Sequence, residues 1–247
     1  MNDNHIMPDI AMVLAAGLGT RMRPLTDHTP KPLIKVAGKA LMDYALDRFA
    51  AAGVNQTIVN VHHLADQVEA HCADRKKPVI TISDEREELL ETGGGLKKAR
   101  RHFGDTPVFC TNTDAILVDK EEQEACAKLA AQWDDAKMDA LLLLVPIKQT
   151  SGYDGAGDFT ISRDNQITLR SGETAPLVFT GLQMIAPSLI DHGPDGPFST
   201  KLLWERASAN GRLYGAVYEG EWMHVGDAEG LEAAEARLDK SGGGGAA

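Results

Sequence analysis

Apolar residues in the first half of the chain follow two patterns: short continuous runs, and residues spaced three or four positions apart. The run Ile10–Leu14 is typical of a strand covered on both faces. Leu41, Ala45 and Phe49 share one face of a helix that we expect to end near Gly53. The same patterns continue as strands at 57–61, 79–82 and 107–111 and as helices at 64–72, 95–103 and around Cys126. This alternation predicts an α/β fold with a mixed, mainly parallel sheet flanked by helices.

The second half of the chain is richer in segments with strand patterns. The predicted elements are a strand at 140–145, a hairpin of 159–162 with 166–169, a strand at 177–185, a helix at 201–209, a strand at 213–218 and a helix at 227–238. Asp227 is expected to be the N-cap of the last helix. No linker-like segment separates the two halves, so we expect a single Rossmann-like domain over residues 9–238. Residues 241–247 are rich in glycine and are expected to form a flexible tail.

Composition and cysteine spacing argue against several classes of partner and metal site, and they suggest a location. The formal net charge of −11 disfavours nonspecific binding to nucleic acid or to an anionic membrane surface. No apolar run reaches the roughly 18 residues of a membrane span, and residues 1–5 lack the features of a signal peptide. The three cysteines, Cys72, Cys110 and Cys126, are too few and too widely spaced for a disulfide framework or a zinc site. They fit a reducing compartment, so we expect the protein in the cytoplasm.

Candidate chemistry begins directly after the first strand. Gly17 and Gly19 form a glycine turn whose backbone N–H groups can surround an anion. Arg21, Arg23 and Lys31 add positive charge to a chain that is otherwise acidic, and Lys31 lies between two prolines. A dinucleotide fingerprint would need a small residue where Met22 stands, and no Walker A string is present. The segment is suited to a triphosphate.

Residues 13–24, with Thr29, Pro30, Lys31 and Pro32, resemble the signature of the sugar-phosphate nucleotidyltransferases. Further matching segments are Leu90 to Gly95, Thr111 to Asp114, Thr180 with Gly181, and Trp222 to Gly226. The resemblance covers residues 9–238 and implies a glycosyltransferase-A-like fold. It also implies that the N-terminal half binds a nucleoside triphosphate and the C-terminal half a sugar 1-phosphate. The implied reaction yields a nucleoside diphosphate sugar and pyrophosphate.

The resemblance also implies roles for individual residues. Arg21, Lys31 and Asp114 would be catalytic, with Arg21 on the departing phosphates and Lys31 on the α-phosphate and the sugar phosphate. Asp114 would bind Mg²⁺. The residues implied to bind substrate are Ala16, Gly17, Gly19, Thr20, Glu91, Thr92, Gly93, Gly94, Asn112, Asp158, Thr180 and Gly181.

His224 departs from the family pattern. Many relatives have a second metal-binding aspartate within a Trp-x-Asp-x-Gly motif, and this chain has His224 at that position. Three outcomes stay open. His224 donates a hydrogen bond to a phosphate or a metal-bound water while Asp114 alone holds Mg²⁺, which is the outcome we expect; or His224 is a second metal ligand and shifts the preference toward Mn²⁺ or Co²⁺, because imidazole suits softer metals; or the site is inactive.

Alternatives stay open for both the substrates and the individual residues. The Glu91 to Gly95 segment resembles uridylyltransferases that act on N-acetylmuramate 1-phosphate, which favours UTP and that acceptor. Mannose 1-phosphate with GTP, a phospho-amino alcohol with CTP, or ligand binding without catalysis are the competing interpretations. Thr92 could simply cap a helix, Asp114 and Asp158 could be structural loop residues, and Arg23 could brace the turn. No oligomeric state is predicted.

Overall fold

The computed structural model describes residues 6–120 and 124–242. The expectations for residues 1–5 and for 243–247 of the predicted tail lie outside the described residues. The described strands are β1 Ile10–Leu14, β2 Lys35–Val36, β3 Lys39–Ala40, β4 Gln56–Val61, β5 Val79–Asp84, β6 Val108–Asn112, β7 Ala115–Val118, β8 Ala140–Pro146, β9 Thr150–Ser151, β10 Phe159–Ile161, β11 Ile167–Leu169, β12 Leu177–Ile185, β13 Leu213–Val217 and β14 Glu221–His224. The described α-helices are α1 Leu41–Ala51, α2 Ala65–Cys72, α3 Glu91–Ala99, α4 Glu124–Gln132, α5 Pro187–Asp191, α6 Lys201–Ala209 and α7 Ala228–Gly242.

Among the described residues, nine strands form the central sheet. Strands β5, β4, β1 and β6 are parallel neighbours, in that order. Strand β12 runs antiparallel between β6 and β8, and β13 is parallel to β8, so six of these seven strands share one direction. The β10–β11 hairpin pairs with the start of β12. The mixed, mainly parallel sheet expected from the sequence is confirmed.

Both faces of the sheet are covered, as the continuous apolar strands indicated. Ala11 and Val13 of β1 belong to a cluster on one face, where Phe49 of α1 stacks on Phe109 with ring centroids 5.8 Å apart. Met12, between them, belongs to the cluster on the opposite face. The register pairs the end of β1 with the end of β6, so both strands deliver their following loops to one rim.

A second, three-stranded sheet was not predicted. Strand β14 pairs antiparallel with β7 and parallel with β9. This pairing places His224 opposite Ala115, and the Val225 N–H donates to the carbonyl of Asp114 at 2.8 Å. The small sheet therefore carries the end of the Trp222 to Gly226 motif to the rim of the large one.

The N-termini of helices α3 and α7 can be compared with the helix starts predicted from the sequence. Helix α3 begins at Glu91, four residues before the predicted start at Gly95. The carbonyl of Phe198 accepts from the N–H groups of Gly93 and Gly94, at 2.8 and 3.1 Å, which satisfies donors of the first turn. The predicted cap of α7 is confirmed, since the Gly230 N–H donates to Oδ1 of Asp227 at 2.9 Å.

No helix within the described residues has both the length and the apolar character that crossing a membrane requires.

Candidate functional site

The turn after β1 is held from two sides. The Ala15 N–H donates to Oδ1 of the buried Asn60 at 2.7 Å, which anchors the end of the strand. Further along, the carbonyl of Gly19 accepts from the Thr26 hydroxyl at 2.8 Å and from the Met22 N–H at 2.9 Å. Thr26 is buried, so its hydroxyl is committed to this contact. The turn is thereby fixed before any ligand binds.

The two glycines of this turn differ in what surrounds them. Gly19 has a φ of 63°, and a Cβ there would lie 2.9 Å from Cγ2 of Thr26 and 3.1 Å from Cβ of Lys31. Gly17 has no heavy atom within 4 Å of the Cβ position. Gly19 is therefore required by the protein itself, whereas the space beside Gly17 is available to a ligand.

The side chains of Lys31 and Asp114 lie close together at the rim of the sheet. Nζ of Lys31 is 3.4 Å from Oδ2 of Asp114 and 3.5 Å from the carbonyl of Gly226. Burial lowers the pKa of Lys31, Asp114 opposes that shift, and the nearby Arg21 lowers the pKa further. A buried ammonium with few partners is suited to binding an incoming phosphate.

The two arginines of the motif occupy different positions. Arg21 is exposed at the rim, and no hydrogen bond or ion pair ties its side chain to another described residue. Arg23 forms an ion pair with Asp27 at 3.4 Å on the surface. This matches the bracing alternative for Arg23 and leaves Arg21 as the guanidinium that faces the open cavity.

A cavity of about 420 Å³, here called the main cavity, joins the segments that the sequence singled out. The predicted site residues that line it are Ala16, Gly17, Gly19, Thr20, Arg21, Lys31, Glu91, Thr92, Asn112 and Asp114. Gly93 and Gly94 lie behind the wall instead. A Cβ on Gly93 would be 2.4 Å from the Phe198 ring, and one on Gly94 would be 2.5 Å from the carbonyl of Gly196. These two glycines let α3 approach that loop closely.

The start of α3 presents Glu91 and Thr92 to the main cavity. Glu91 has a φ of 59°, which is uncommon for a residue with a side chain and is found most often at functional sites. The Thr92 hydroxyl accepts from the Thr200 N–H at 2.9 Å, and α3 has no side-chain cap. The capping alternative for Thr92 is therefore wrong, because its oxygen serves a neighbouring loop.

The other predicted residues line a smaller space of about 120 Å³, here called the side cavity. It contains Asp158, Thr180, Gly181 and His224, and it shares Asn112 and Asp114 with the main cavity. The Thr180 hydroxyl donates to the carbonyl of Leu143 at 2.9 Å, so it is already engaged. Oδ2 of Asp158 accepts from the Phe179 N–H at 2.9 Å, which leaves the second carboxylate oxygen for another donor.

His224 faces Asp114 across the junction of the two cavities. Its Nδ1 lies 3.3 Å from the carbonyl of Gly152, so this nitrogen is the one placed to carry a proton and donate. In the neutral imidazole, Nε2 then has a lone pair, and it lies 3.9 Å from Oδ2 of Asp114. Gly226 leaves room for the ring, because a Cβ there would be 2.3 Å from Cε1 of His224.

The side chains of Asp114 and His224 are suited to bind a divalent ion together with oxygen ligands from a substrate. Asp114 supplies a carboxylate and His224 an imidazole whose other nitrogen is hydrogen-bonded, the usual arrangement of a histidine ligand. Among the described residues, no three His, Cys, Asp or Glu side chains are grouped to hold a metal by themselves. Phosphate oxygens would have to complete the coordination, as is common for Mg²⁺.

A buried polar chain, which the sequence pattern did not reveal, lies under the main cavity. Nδ2 of Asn60 donates to Oε1 of Glu85 at 2.9 Å, while Oδ1 of Asn60 holds Ala15. Glu85 is fully buried, and its Oε2 has no hydrogen-bond partner in the described structure. Burial raises the pKa of Glu85, and the hydrogen bond from Asn60 opposes the shift. An asparagine at the end of a strand predicted to be buried was the available signal.

Comparison with known proteins gives consistent results. The family model described as nucleotidyl transferase matches residues 10–157. The chain is 50% identical to the N-acetylmuramate alpha-1-phosphate uridylyltransferase of Caulobacter vibrioides over 236 residues, covering 94% of this chain and 97% of that protein. A Neisseria meningitidis protein of the same name is 32% identical, with coverages of 92% and 96%.

Solved structures share the fold. A UDP-glucose pyrophosphorylase from Acinetobacter baumanii superimposes with a TM-score of 0.81, covering 96% of this chain and 95% of the other. The sequence identity is 14%, so this likeness concerns the fold alone.

Proposed function

Because the chain belongs to the nucleotidyl transferase family, we propose that it transfers a uridylyl group from UTP to N-acetylmuramate 1-phosphate and releases pyrophosphate. Two relatives named for this activity match more than nine-tenths of the chain. The observation that carries the proposal is the junction of the main and side cavities at Asn112 and Asp114. A nucleotide in one cavity and a sugar phosphate in the other would meet beside Lys31.

The chemistry requires positioning more than proton transfer. A phosphate oxygen of the sugar 1-phosphate attacks the α-phosphorus of UTP, and the bond from that phosphorus to the bridging oxygen of the β-phosphate breaks. Pyrophosphate leaves with the electron pair. The attacking phosphate is already an anion, so no general base is needed. The protein must hold two polyanions in line and stabilise the charge that accumulates between them.

The protein's own groups divide these tasks. Backbone N–H groups of residues 16–20 and the free guanidinium of Arg21 bind the β- and γ-phosphates. Lys31, whose side chain is 11% exposed, binds the α-phosphate and the incoming sugar phosphate.

The remaining residues position the two substrates. Glu91 and Thr92 orient the nucleoside, with Gly93 and Gly94 supporting that segment through the Phe198 loop. Asn112 serves ribose or phosphate, and the sugar is bound in the side cavity by Asp158 and by the backbone at Thr180 and Gly181. This division assigns the nucleotide to the N-terminal half of residues 9–238 and the sugar to the C-terminal half.

We assign a divalent ion, Mg²⁺ or Mn²⁺, to Asp114 and His224. When bound, the ion neutralises phosphate charge as the reaction proceeds. The three cysteines are free and buried, which is consistent with a reducing location, and we propose the cytoplasm. We also propose that the reaction belongs to the recycling of peptidoglycan, because the proposed acceptor is a phosphate of N-acetylmuramate.

The test is a matrix of the four nucleoside triphosphates against several sugar 1-phosphates, with pyrophosphate release as the readout. We expect UTP with N-acetylmuramate 1-phosphate to give the highest kcat/KM, about tenfold or more above the other triphosphates, which corresponds to about 1.4 kcal/mol. A preference for GTP or CTP would remove the uridylyl assignment. Tight binding in isothermal titration without any pyrophosphate release would replace catalysis with a binding function.

A further inference from the structure

A third cavity adjoins the side cavity and is not used by the reaction described above. It measures about 260 Å³ and is here called the aromatic cavity. Its lining residues are Asp158, Phe159, Leu169, Arg170, Phe179, Lys201 and Trp204. Asp158 and Phe179 also line the side cavity, so the two cavities are neighbours that share these residues as a boundary. A sugar bound in the side cavity would place a substituent beside this shared boundary.

One wall of the aromatic cavity is apolar and rigid. The Trp204 ring packs edge-on against Phe179 and Phe159, with centroid distances of 4.9 and 5.9 Å. Nε1 of Trp204 donates to Oε1 of Gln183 at 2.8 Å, which fixes the orientation of the indole. A wall of this kind suits methyl groups and the apolar faces of a sugar.

Two cationic side chains, those of Arg170 and Lys201, also line the aromatic cavity. Arg170 is held by its Nε, which donates to the carbonyl of Gly157 at 2.8 Å, and by its Nη1, which donates to Gly172 at 3.2 Å. Within the described residues, its Nη2 donates to no protein atom. Lys201 forms an ion pair with Glu205 at 3.8 Å, a distance too long to engage its ammonium strongly. Both groups are available to an anion.

We propose that the aromatic cavity recognises a branched carboxylate substituent of the acceptor sugar, with Arg170 and Lys201 binding the carboxylate. This inference rests on the proposed function. The acceptor named there carries a lactyl ether, in which a methyl group and a carboxylate share one carbon. The methyl group matches the Trp204 wall, and the carboxylate matches the planar fork of Arg170. The negative Asp158 is suited to a hydroxyl or amide N–H of the same sugar, so it does not compete for this group.

The consequence is that discrimination between acceptors depends on the charge of this substituent. Isothermal titration should compare N-acetylmuramate 1-phosphate with its lactyl carboxamide, which has the same shape and no charge. The wild-type protein should bind the carboxylate about tenfold or more tightly, the scale of one charge-assisted hydrogen bond. Arg170→Ala and Lys201→Gln should each reduce that ratio, and the double variant should bring it to about one. Lys201→Gln leaves the loop contacts of Arg170 intact, so it tests the proposal if Arg170→Ala unfolds the hairpin.

Arg163→Ala is the matched control. It removes one positive charge from the exposed β10–β11 turn, outside all three cavities, and should preserve the wild-type ratio. A double variant that folds and retains the full preference for the carboxylate would overturn the proposal. An equal affinity of the wild-type protein for the two acceptors would overturn it as well. Failure of the proposed function is separate, because it would appear as absent UTP-dependent pyrophosphate release in the wild-type protein.

Discussion

Gly17 and Gly19 lie two positions apart in one turn, yet neighbouring atoms restrict only Gly19. The φ of 63° at Gly19, with Thr26 and Lys31 at its Cβ position, leaves no place for a side chain. Beside Gly17 the space is open. An alanine substitution at Gly19 therefore tests folding stability, whereas an alanine substitution at Gly17 tests ligand binding.

We expect Gly19→Ala to lower the free energy of unfolding by about 1–2 kcal/mol for the left-handed backbone alone, with further loss from the contact with Thr26. Gly17→Ala should leave stability within about 0.5 kcal/mol of wild type, because an added methyl group meets no protein atom. Gly17→Ala should nevertheless weaken UTP binding if the triphosphate passes beside it. Urea denaturation and isothermal titration measure the two effects. A Gly17→Ala protein with unchanged affinity would place the triphosphate elsewhere.

Lys31→Ala should reduce kcat by about 10²-fold or more, the scale of losing one preorganised electrostatic donor at a reacting phosphate. The fold should survive, since the alanine also relieves the cost of burying an ammonium. Pyrophosphate release under saturating substrates is the measurement. Lys35→Ala is the control, because Lys35 is exposed four residues later in β2. Near-wild-type kcat in the folded Lys31→Ala protein would exclude Lys31 from the reaction.

At the scale of secondary structure elements, helix α3 depends on a buried polar chain. Asn60 of β4 holds the end of β1 through Ala15 and holds Glu85 after β5. Gly95 of α3 lies against both, since a Cβ there would be 2.8 Å from Nδ2 of Asn60 and 2.9 Å from Oε1 of Glu85. This buried polar chain thus links the turn after β1 to helix α3, and both contribute residues to the main cavity.

Glu85→Gln should change how stability depends on pH. Burial raises the pKa of Glu85 above its ordinary value of 4.5. The folded protein then binds this proton more tightly than the unfolded chain does. The free energy of unfolding should therefore fall as pH rises from 4.5 through the raised pKa. The glutamine keeps the acceptor for Asn60 and removes the titration, so this decline should be smaller in the variant.

Urea denaturation at a series of pH values measures the effect. Glu87→Gln, at an exposed position two residues later, is the matched control and should follow the wild-type curve. If the Glu85→Gln curve also follows that of the wild type, Glu85 does not bind its proton more tightly in the folded state.

At the scale of the whole molecule, the three-stranded sheet brings Asp114 and His224 together where the main and side cavities meet. Asp114 and His224 are 110 positions apart in sequence, and the pairing of β7 with β14 brings Nε2 of His224 to 3.9 Å from Oδ2 of Asp114. Under the metal assignment proposed above, the ligand types of this pair determine which divalent ion is preferred.

We expect His224→Asp to lower the concentration of Mg²⁺ that gives half-maximal activity, because a second carboxylate suits that ion better than imidazole does. The preference for Mn²⁺ over Mg²⁺ should decline in parallel. Activity titrations with each ion measure both effects, and His192→Asp, outside the main and side cavities, controls for the change in charge. Loss of turnover in a folded His224→Asp protein would show that the imidazole has a role that a carboxylate cannot fill.

Local sequence patterns determined much of this protein. The apolar runs of β1 and β6 specify strands covered on both faces, because a strand buried on both faces has a nearly continuous run of apolar side chains. The same reasoning placed Gly17 and Asp114 at one rim, since loops after neighbouring parallel strands emerge together. The resemblance carried by residues 13–32 led to the family that the comparisons show.

Only the tertiary structure decided which distant groups meet. Asn60 and Glu85 carry no periodic signal, and their partnership exists because β4 and β5 lie side by side. His224 reaches Asp114 through a sheet whose short strands give too little pattern to predict. Arg170 and Lys201 share a cavity although strand β12 and helix α5 separate them in sequence. In each case local pattern reports burial of a segment, whereas the contact depends on how separate segments pack.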